Sequence, residues 1–531
     1  IKSLTLGCLI CCILLLSGFV ISLDEREKSF LKIEDSYNSE VNFEGVNNSC
    51  FLQFDGEWNK TFGGGYWDHG WCVQQTSDGG YIIVGDKSID EFNSVAWIIK
   101  TGAYGEKIWE KFFDASATYV EEVHDGGYIV TGDCYLDPFD SDANIWLIRL
   151  DGSGSKVWER IFGGHRGSDV GYCVHQTSDG GYIIAGYTTS YSNTSDAYLV
   201  KTDRYGNMIW NKTFSSGCLA GSAFYVEETS DGGFVLTGWN AEGLWVIRTN
   251  SRGDLLWEKS FGESMDMGNY VHETSDGGFI VVGSTGLGPG SKNAWLIKLD
   301  SNGNMLWNRT FGGGASDGAR GGCVTSDGGY VLVGMTESYK WYGDFDVWVI
   351  KTDSDGNREW GRILGLPGKA GQGGHCIQQT SDGGYIIVGD TYSRAPLPGD
   401  QGESDIWLVK IIPDNSPPGK PVVTGPATGR INRRYTINFS SVDPEGDDVY
   451  YFVVIWGLGT SGGWIGPYTS GETVSYSFIP PAEGTFDITV KAIDSHGWDS
   501  LMSDPLHVTF PKPYWLNLLP PFIQRILLYK T

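Results

Sequence analysis

Asp-Gly-Gly recurs at Asp78, Asp125, Asp179, Asp231, Asp276, Asp327 and Asp382, at intervals of 45 to 55 residues. A fixed period of this length marks a repeat architecture, in which one small unit packs on copies of itself. The fullest copy, TSDGGYIIVG (76–85), returns nearly unchanged at 380–389. Asp-Gly and Gly-Gly pairs accept the positive φ that tight hairpin turns demand. Each therefore joins a strand such as 71–77 to a β-branched strand such as 81–85. A second marker is an aromatic in an apolar run ending in Lys or Arg: Trp97, Trp146, Tyr198, Trp245, Trp295, Trp348 and Trp407. A third is Trp58, Trp109, Trp158, Trp210, Trp257, Trp307 and Trp360. From each second marker to the next third marker the distance is always 12 residues. That hairpin admits no insertion.

Each repeat thus holds four strands, A to D, with the A–B and C–D turns fixed and the B–C and D–A links variable. In an antiparallel sheet the fixed turns share one end and the variable links the other. Length variation, and with it binding, belongs to the second end. Seven four-stranded units of this period predict an all-β, seven-bladed β-propeller over 53–412. Trp58 has no strand C before it, and Trp407 has no strand D after it. FDGEWNKTF (54–62) is therefore expected to supply strand D of the last blade, pairing two orphan edges and closing the ring.

The run DAYLVKTDRYGNMIWNKTF (196–214), following YIIAG, resembles the repeat of secreted bacterial and archaeal β-propeller proteins. It is also similar to the pyrroloquinoline-quinone-like propeller repeat. That resemblance implies a Trp of the outer strand docked between blades. Quinone dehydrogenases of that fold also bear a vicinal disulfide, usually with eight blades; beyond residue 23 this chain has no adjacent Cys pair, so no quinone cofactor is expected. The thirteen marker Trp among 21, and the Cys and Tyr before the Asp-Gly-Gly turns, read as packing residues.

Composition narrows the partners. With 65 acids against 38 bases the net charge is −27, which excludes nucleic acid and gives anionic lipid no electrostatic hold. Residues 1–23 carry a long apolar run behind Lys2, ahead of the charged DEREK, which reads as a signal peptide or membrane anchor. Membrane contact is expected only through this segment if it stays uncleaved. A polar linker follows (24–52), and the location is extracellular or cell-surface. The seven Cys beyond residue 23 are odd in number and widely spread, so they form no disulfide framework.

Residues 413–421, PDNSPPGKP, form a Pro-rich linker. Alternating apolar runs over 422–510 predict a small β-sandwich. SVDPEGDDVYYFV (441–453) and ITVKAIDSHGWDS (488–500) resemble immunoglobulin-like surface modules of the polycystic-kidney-disease (PKD) or fibronectin type III kind. Where PKD modules usually read Trp-Gly-Asp-Gly, this chain has Trp456-Gly457-Leu458-Gly459. Residues 511–531 form an apolar, Pro-broken tail.

Candidate ligand residues lie at the variable end. Asp68, Asp169, Asp266 and Asp317 precede strand A and are expected near the axial mouth, as carboxylates that cap turns or hold a cation. Loop aromatics and acids, chiefly Trp67, Trp239, Trp341, Tyr342 and Asp344, suit stacking on sugar rings or gripping a protein loop. Asp443, Glu445 and Asp447 in the sandwich are candidate Ca²⁺ ligands, Ca²⁺ being the sole cofactor considered. No nucleophile motif, zinc cage or phosphate loop is present. The reading is a non-enzymatic binding protein for a polysaccharide or surface protein. The alternative is a carbohydrate-active hydrolase or lyase using paired carboxylates.

Overall fold

A computed structural model describes residues 56–136, 142–164, 167–191, 194–215, 220–286, 292–340, 344–365, 371–392, 404–413, 415–457, 459–460 and 463–511. The signal or anchor segment, the 24–52 linker, Trp341, Tyr342 and the tail from 512 lie outside the described residues. Among the described residues there is no helix, and the strands form antiparallel sheets.

Sheet 1 joins Asp68–Gln75, Tyr81–Ser88, Ser94–Thr101 and Lys107–Phe113 in chain order. The same meander recurs in sheets 2 to 6, whose first strands are Ser116–Glu122, Asp169–Gln176, Gly221–Glu228, Met267–Glu273 and Asp317–Val324. Sheet 7 comprises Gly371–Gln379, Tyr385–Tyr392 and Ser404–Ile411, and its fourth strand is Trp58–Phe62. The last pairing runs Trp58↔Lys410 to Phe62↔Ile406, as the orphan-strand argument predicts for residues 54–62. The architecture is all-β and propeller-like.

Two repeated contacts join successive sheets. Every third-marker Trp meets the aromatic opening strand B of the following sheet, as in Trp109–Tyr128 (5.9 Å) and Trp210–Phe234 (5.9 Å). The same contact links sheet 7 to sheet 1 through Trp58 and Tyr81 (5.6 Å). Second, a Glu or Gln ending strand A accepts a backbone N–H from the A–B turn of the sheet before. Examples are Ser77 to Glu122 (2.6 Å), Ser178 to Glu228 (2.6 Å) and Ser381 to Gln75 (2.8 Å). The expected docking of a Trp between units is thus present at each junction.

The A–B turn is itself clamped. In sheet 3, Asp179 Oδ1 accepts from Thr177 Oγ1 (2.7 Å), Gly181 N (2.9 Å) and Lys201 Nζ (3.0 Å). Gly180 sits at φ +80°, which a residue with Cβ resists. Lys201 is buried, so its ammonium depends on that carboxylate.

The C-terminal residues form a second β-layered region. One sheet holds Val422–Thr424, Tyr435–Ser440 and Val474–Phe478; the other centres on Val449–Ile455 and Gly484–Asp494. Their inner faces pack Ile437, Phe439, Tyr451, Val453, Ile488, Val490 and Phe510. This region is fused to sheet 6 by strand pairing, Gly361↔Asp499 and Arg362↔Trp498. Arg362 is fully buried there, paired with Glu57 (3.0 Å) and lying over the Trp498 ring (4.9 Å).

Candidate functional site

Strand A of each sheet carries the same irregularity near its start. The register skips one residue in each: Trp71, Thr118, Tyr172, Phe224, Asn269, Arg320 and His375. These are β-bulges, which leave one extra residue unpaired and re-aim its side chain. The preceding residue is always Gly or Ala, for a packing reason. A Cβ on Gly70 would stand 2.7 Å from Val388 Cγ2, and one on Gly374 2.5 Å from Val333 Cγ2. The frame is therefore constant, yet the seven bulged residues are all different.

Bulged residues reach the bulge of the next sheet, at the bulged residue itself or at the one before it. Thr118 Oγ1 donates to Gly171 O (2.7 Å), and Asn269 Nδ2 to Ala319 O (2.8 Å). Tyr172 meets Phe224 edge-on (5.2 Å), and Trp71 meets His375 (4.8 Å). One residue deeper, rings fill the interior: Tyr225 contacts Tyr270 (4.9 Å) and also Tyr119 of sheet 2 (6.1 Å). Sheet 6 places Gly321 at this deeper position, opposite Val333, while Cys323 lies two residues further on. Cys323 is therefore not the counterpart of Cys72, Cys173 and Cys376, although all four precede an Asp-Gly-Gly turn.

Polar chemistry concentrates where sheets 6, 7 and 1 meet. Asp390, fully buried, accepts from Gly70 N (2.8 Å) and Tyr392 OH (3.2 Å) and pairs with His375 (2.9 Å) and His69 (3.1 Å). Burial alone would raise its pKa, but the two imidazoles hold it well below the carboxylate range. His69 shifts upward, because Asp390 outweighs its burial. His375 shifts downward through burial, with Arg320 adding to the effect. Trp67, His69, Trp71, His375 and Arg320 form an arc of successive contacts: 6.3, 5.4 and 4.8 Å between rings, then 3.1 Å from His375 Nε2 to Arg320 Nη1.

Beside this arc, Asp86 accepts from Trp71 Nε1 (2.7 Å) and from Ala117 N (3.3 Å). Its pKa is raised by burial. Asp133, at the equivalent position of sheet 2, is pushed up to about 6 by burial and by the charge of Asp86. Trp239 occupies that position in sheet 4, opposite Ser222.

The four Asp that precede or open strand A are buried, and each is engaged within its own sheet. Asp68 accepts from Ser88 N (3.0 Å) and Lys87 Nζ (3.2 Å), and Asp169 from Gly164 N (2.9 Å) and Ser190 Oγ (2.6 Å). Asp266 binds Thr285 Oγ1 (2.8 Å) and Gly286 N (2.7 Å); Asp317 binds Thr336 Oγ1 (2.6 Å) and Gly313 N (2.8 Å). Each ties the D–A link to the end of strand B. Trp67 is 43% exposed and lies on the arc, while Asp344 is exposed just before Phe345.

In the C-terminal region the acids regroup. Asp443 is buried, with Oδ1 accepting from Glu445 N and Asp447 N (3.0 Å each); its Oδ2 has no partner among the described residues. Glu445 itself is exposed. Ligand atoms of Asp447, Asp494 and His496 lie within 4.8 Å of one another. Asp494 accepts from Asn415 Nδ2 (2.7 Å), and Asn415 Oδ1 is buried and also unpartnered. Burial and the charge of Asp443 push Asp494 up to about 8. A buried acid and a buried amide, each with an orphaned oxygen beside the Asp447–Asp494 pair, are a donor set that suits a hard divalent cation. Sequence reading found Asp443 and Asp447 but missed Asn415 and Asp494, which come from distant segments.

No protein-family model matches the chain, and no curated protein does. Two solved structures give the particular likenesses of this propeller-like protein. The chain is similar to the PKD domain of an M14-like peptidase from Thermoplasmatales archaeon SCGC AB-540-F20, at 40% identity, covering 18% of this chain and 99% of that one, with a TM-score of 0.18. It is also similar to prolyl oligopeptidase B from Galerina marginata, bound to a 25mer macrocyclization substrate. There the identity is 11%, the coverage 73% of this chain and 56% of that one, and the TM-score 0.34. The chain thus spans little more than half of that second protein.

Proposed function

We propose that this chain is an extracellular or cell-surface, non-enzymatic binding protein. Its sheets make a seven-bladed propeller closed by Trp58–Phe62, and the variable end meets a polysaccharide or a surface protein. One observation carries the reading: a bulge repeated in every sheet presents seven different side chains. A purely structural position repeats its residue, as the marker Trp do; a recognition position does not. Exposed Tyr66, Trp67, Phe92, Tyr135 and Tyr191 on the variable links agree with it. Glycan-array and pull-down screens of the full chain are expected to return a ligand whose binding Trp67→Ala weakens. Blank screens beside measurable polymer turnover would overturn it.

Closure has its own test. Deleting residues 54–62 strips strand D from sheet 7 and is expected to lower the melting temperature of the whole molecule; unchanged melting argues for an open array. In the C-terminal region, Asn415, Asp443, Asp447 and Asp494 are proposed to hold Ca²⁺. Ca²⁺ is then expected to raise the melting temperature over EGTA, and Asp443→Asn to abolish the rise.

A second reading rests on Asp86 and Asp133, neighbouring half-buried acids whose pKa values are both raised. A carboxyl that holds its proton to higher pH suits general-acid work in a glycosidase. Turnover of a polysaccharide that Asp133→Asn abolishes would favour it.

A further inference from the structure

The geometry points to an acidic, uronate-bearing oligosaccharide as the ligand of the axial mouth, with Arg320 taking the carboxylate and Trp67 the sugar face. This rests on the binding reading above and names its ligand class.

The first ground is an arginine out of character with the molecule. The chain has net charge −27, and its buried Arg and Lys side chains in the repeat sheets are neutralised by turn or interface carboxylates. Arg320 is exposed and, among the described residues, has no carboxylate within ion-pair distance; its polar neighbours there are His375 and, at 4.0 Å, Met335 Sδ. A guanidinium is a planar fork matched to a carboxylate, and no carboxylate among the described residues engages that of Arg320.

The second ground is the space beside it. Two residues before each bulge stand His69, Ser116, Val170, Ser222 and Met267 in sheets 1 to 5, but Gly318 in sheet 6 and Gly373 in sheet 7. A Cβ on Gly373 would stand 3.7 Å from Arg320 Nη1, 3.8 Å from His375 Nε2 and 4.0 Å from Phe345. Sheet 7 thus omits a side chain where Arg320 and His375 flank the gap, whereas Gly318 of sheet 6 faces Ser284. Phe345 packs on Tyr392 (5.5 Å), giving the niche an aromatic wall.

Nearby acids do not fill the role of partner. Asp390 is fully buried and spent on Gly70, His69, His375 and Tyr392, and Asp86 on Trp71 and Ala117. Trp67 continues the arc outward and is part-exposed, a flat apolar surface for the C–H face of a pyranose. A carboxylate fork at one end of the arc and an aromatic platform at the other suit an oligosaccharide that carries hexuronate rather than only neutral sugars. A peptide carboxylate shares the first feature and is an arm of the test.

Titration calorimetry on the full chain would compare a galacturonate oligosaccharide, its neutral galactose counterpart and a short peptide ending in a free carboxylate. The acidic sugar is expected to bind, more weakly as salt rises. Arg320→Gln is expected to weaken it at least about tenfold, and Trp67→Ala several-fold. Arg320→Lys should recover only part, since a point charge replaces a fork. Both side chains are exposed, so wild-type melting of the variants is expected and separates binding from folding. Acidic sugar binding untouched by Arg320→Gln overturns the proposal. So does binding of the peptide alone. Neutral sugar bound as tightly as acidic, with loss in Trp67→Ala, overturns the uronate assignment and leaves the polysaccharide reading standing.

Discussion

The two ends of the repeat sheets are built from the same strands yet obey different rules. At the A–B end, each turn repeats its chemistry: a Thr hydroxyl, a Gly N–H and a buried Lys or Arg converge on the Asp of Asp-Gly-Gly in sheets 1, 3 and 7. The carboxyl of Asp78 is held down to about 2, its bonds to Thr76, Gly80 and Lys100 overcoming burial. At the other end the backbone repeats and the side chains do not: Trp71, Thr118, Tyr172, Phe224, Asn269, Arg320 and His375 share one bulge. One end spends its side chains on holding sheets together. The other is free to differ because its geometry is fixed from below.

That contrast is open to direct attack. The largest effect is expected from Asp179→Ala at the fixed end, which strands buried Lys201 and breaks three bonds; a loss of about 2–3 kcal/mol should appear in denaturant unfolding. Glu228→Ala removes the acceptor for Ser178 N and Oγ and should cost about 1 kcal/mol. Asn269→Ser at the variable end should stay within about 0.5 kcal/mol, while a loss as large as that of Asp179→Ala would erase the distinction between ends. The smallest effect concerns pH. Asp133 has a folded pKa of about 6 against an ordinary 3.8, so the folded state holds its proton more tightly. Its contribution is therefore present at low pH and lost as pH rises through about 6. Asp133→Asn should flatten the melting profile across that window.

Much of the architecture was legible because packing residues repeat. Asp-Gly-Gly, the two aromatic markers and the invariant 12-residue step located the strands, and the orphan argument located the partner of Ser404–Ile411. The axial residues escaped for the opposite reason: a position defined by difference has no motif. Its only trace is the small residue before it, as in Gly70-Trp71-Cys72 and Gly374-His375-Cys376. The Asp before strand A were visible but ambiguous, since a turn bracket and a cation ligand look alike in one dimension. Asn415 and Asp494 stand 79 residues apart and become neighbours only after the C-terminal sheets pair.

The seam between sheet 6 and the C-terminal region carries a mechanical consequence. Gly361↔Asp499 and Arg362↔Trp498 extend one sheet into the next, and the buried guanidinium of Arg362 locks the crossing to Glu57 at the start of the repeat region. Rotation there would expose that cation and break the edge-on contact of Trp360 with Trp498. A swivel is thereby replaced by a weld. Whatever grips the C-terminal region therefore sets the orientation of the repeat sheets, and a pull on either region is delivered to the other as shear along a strand pair.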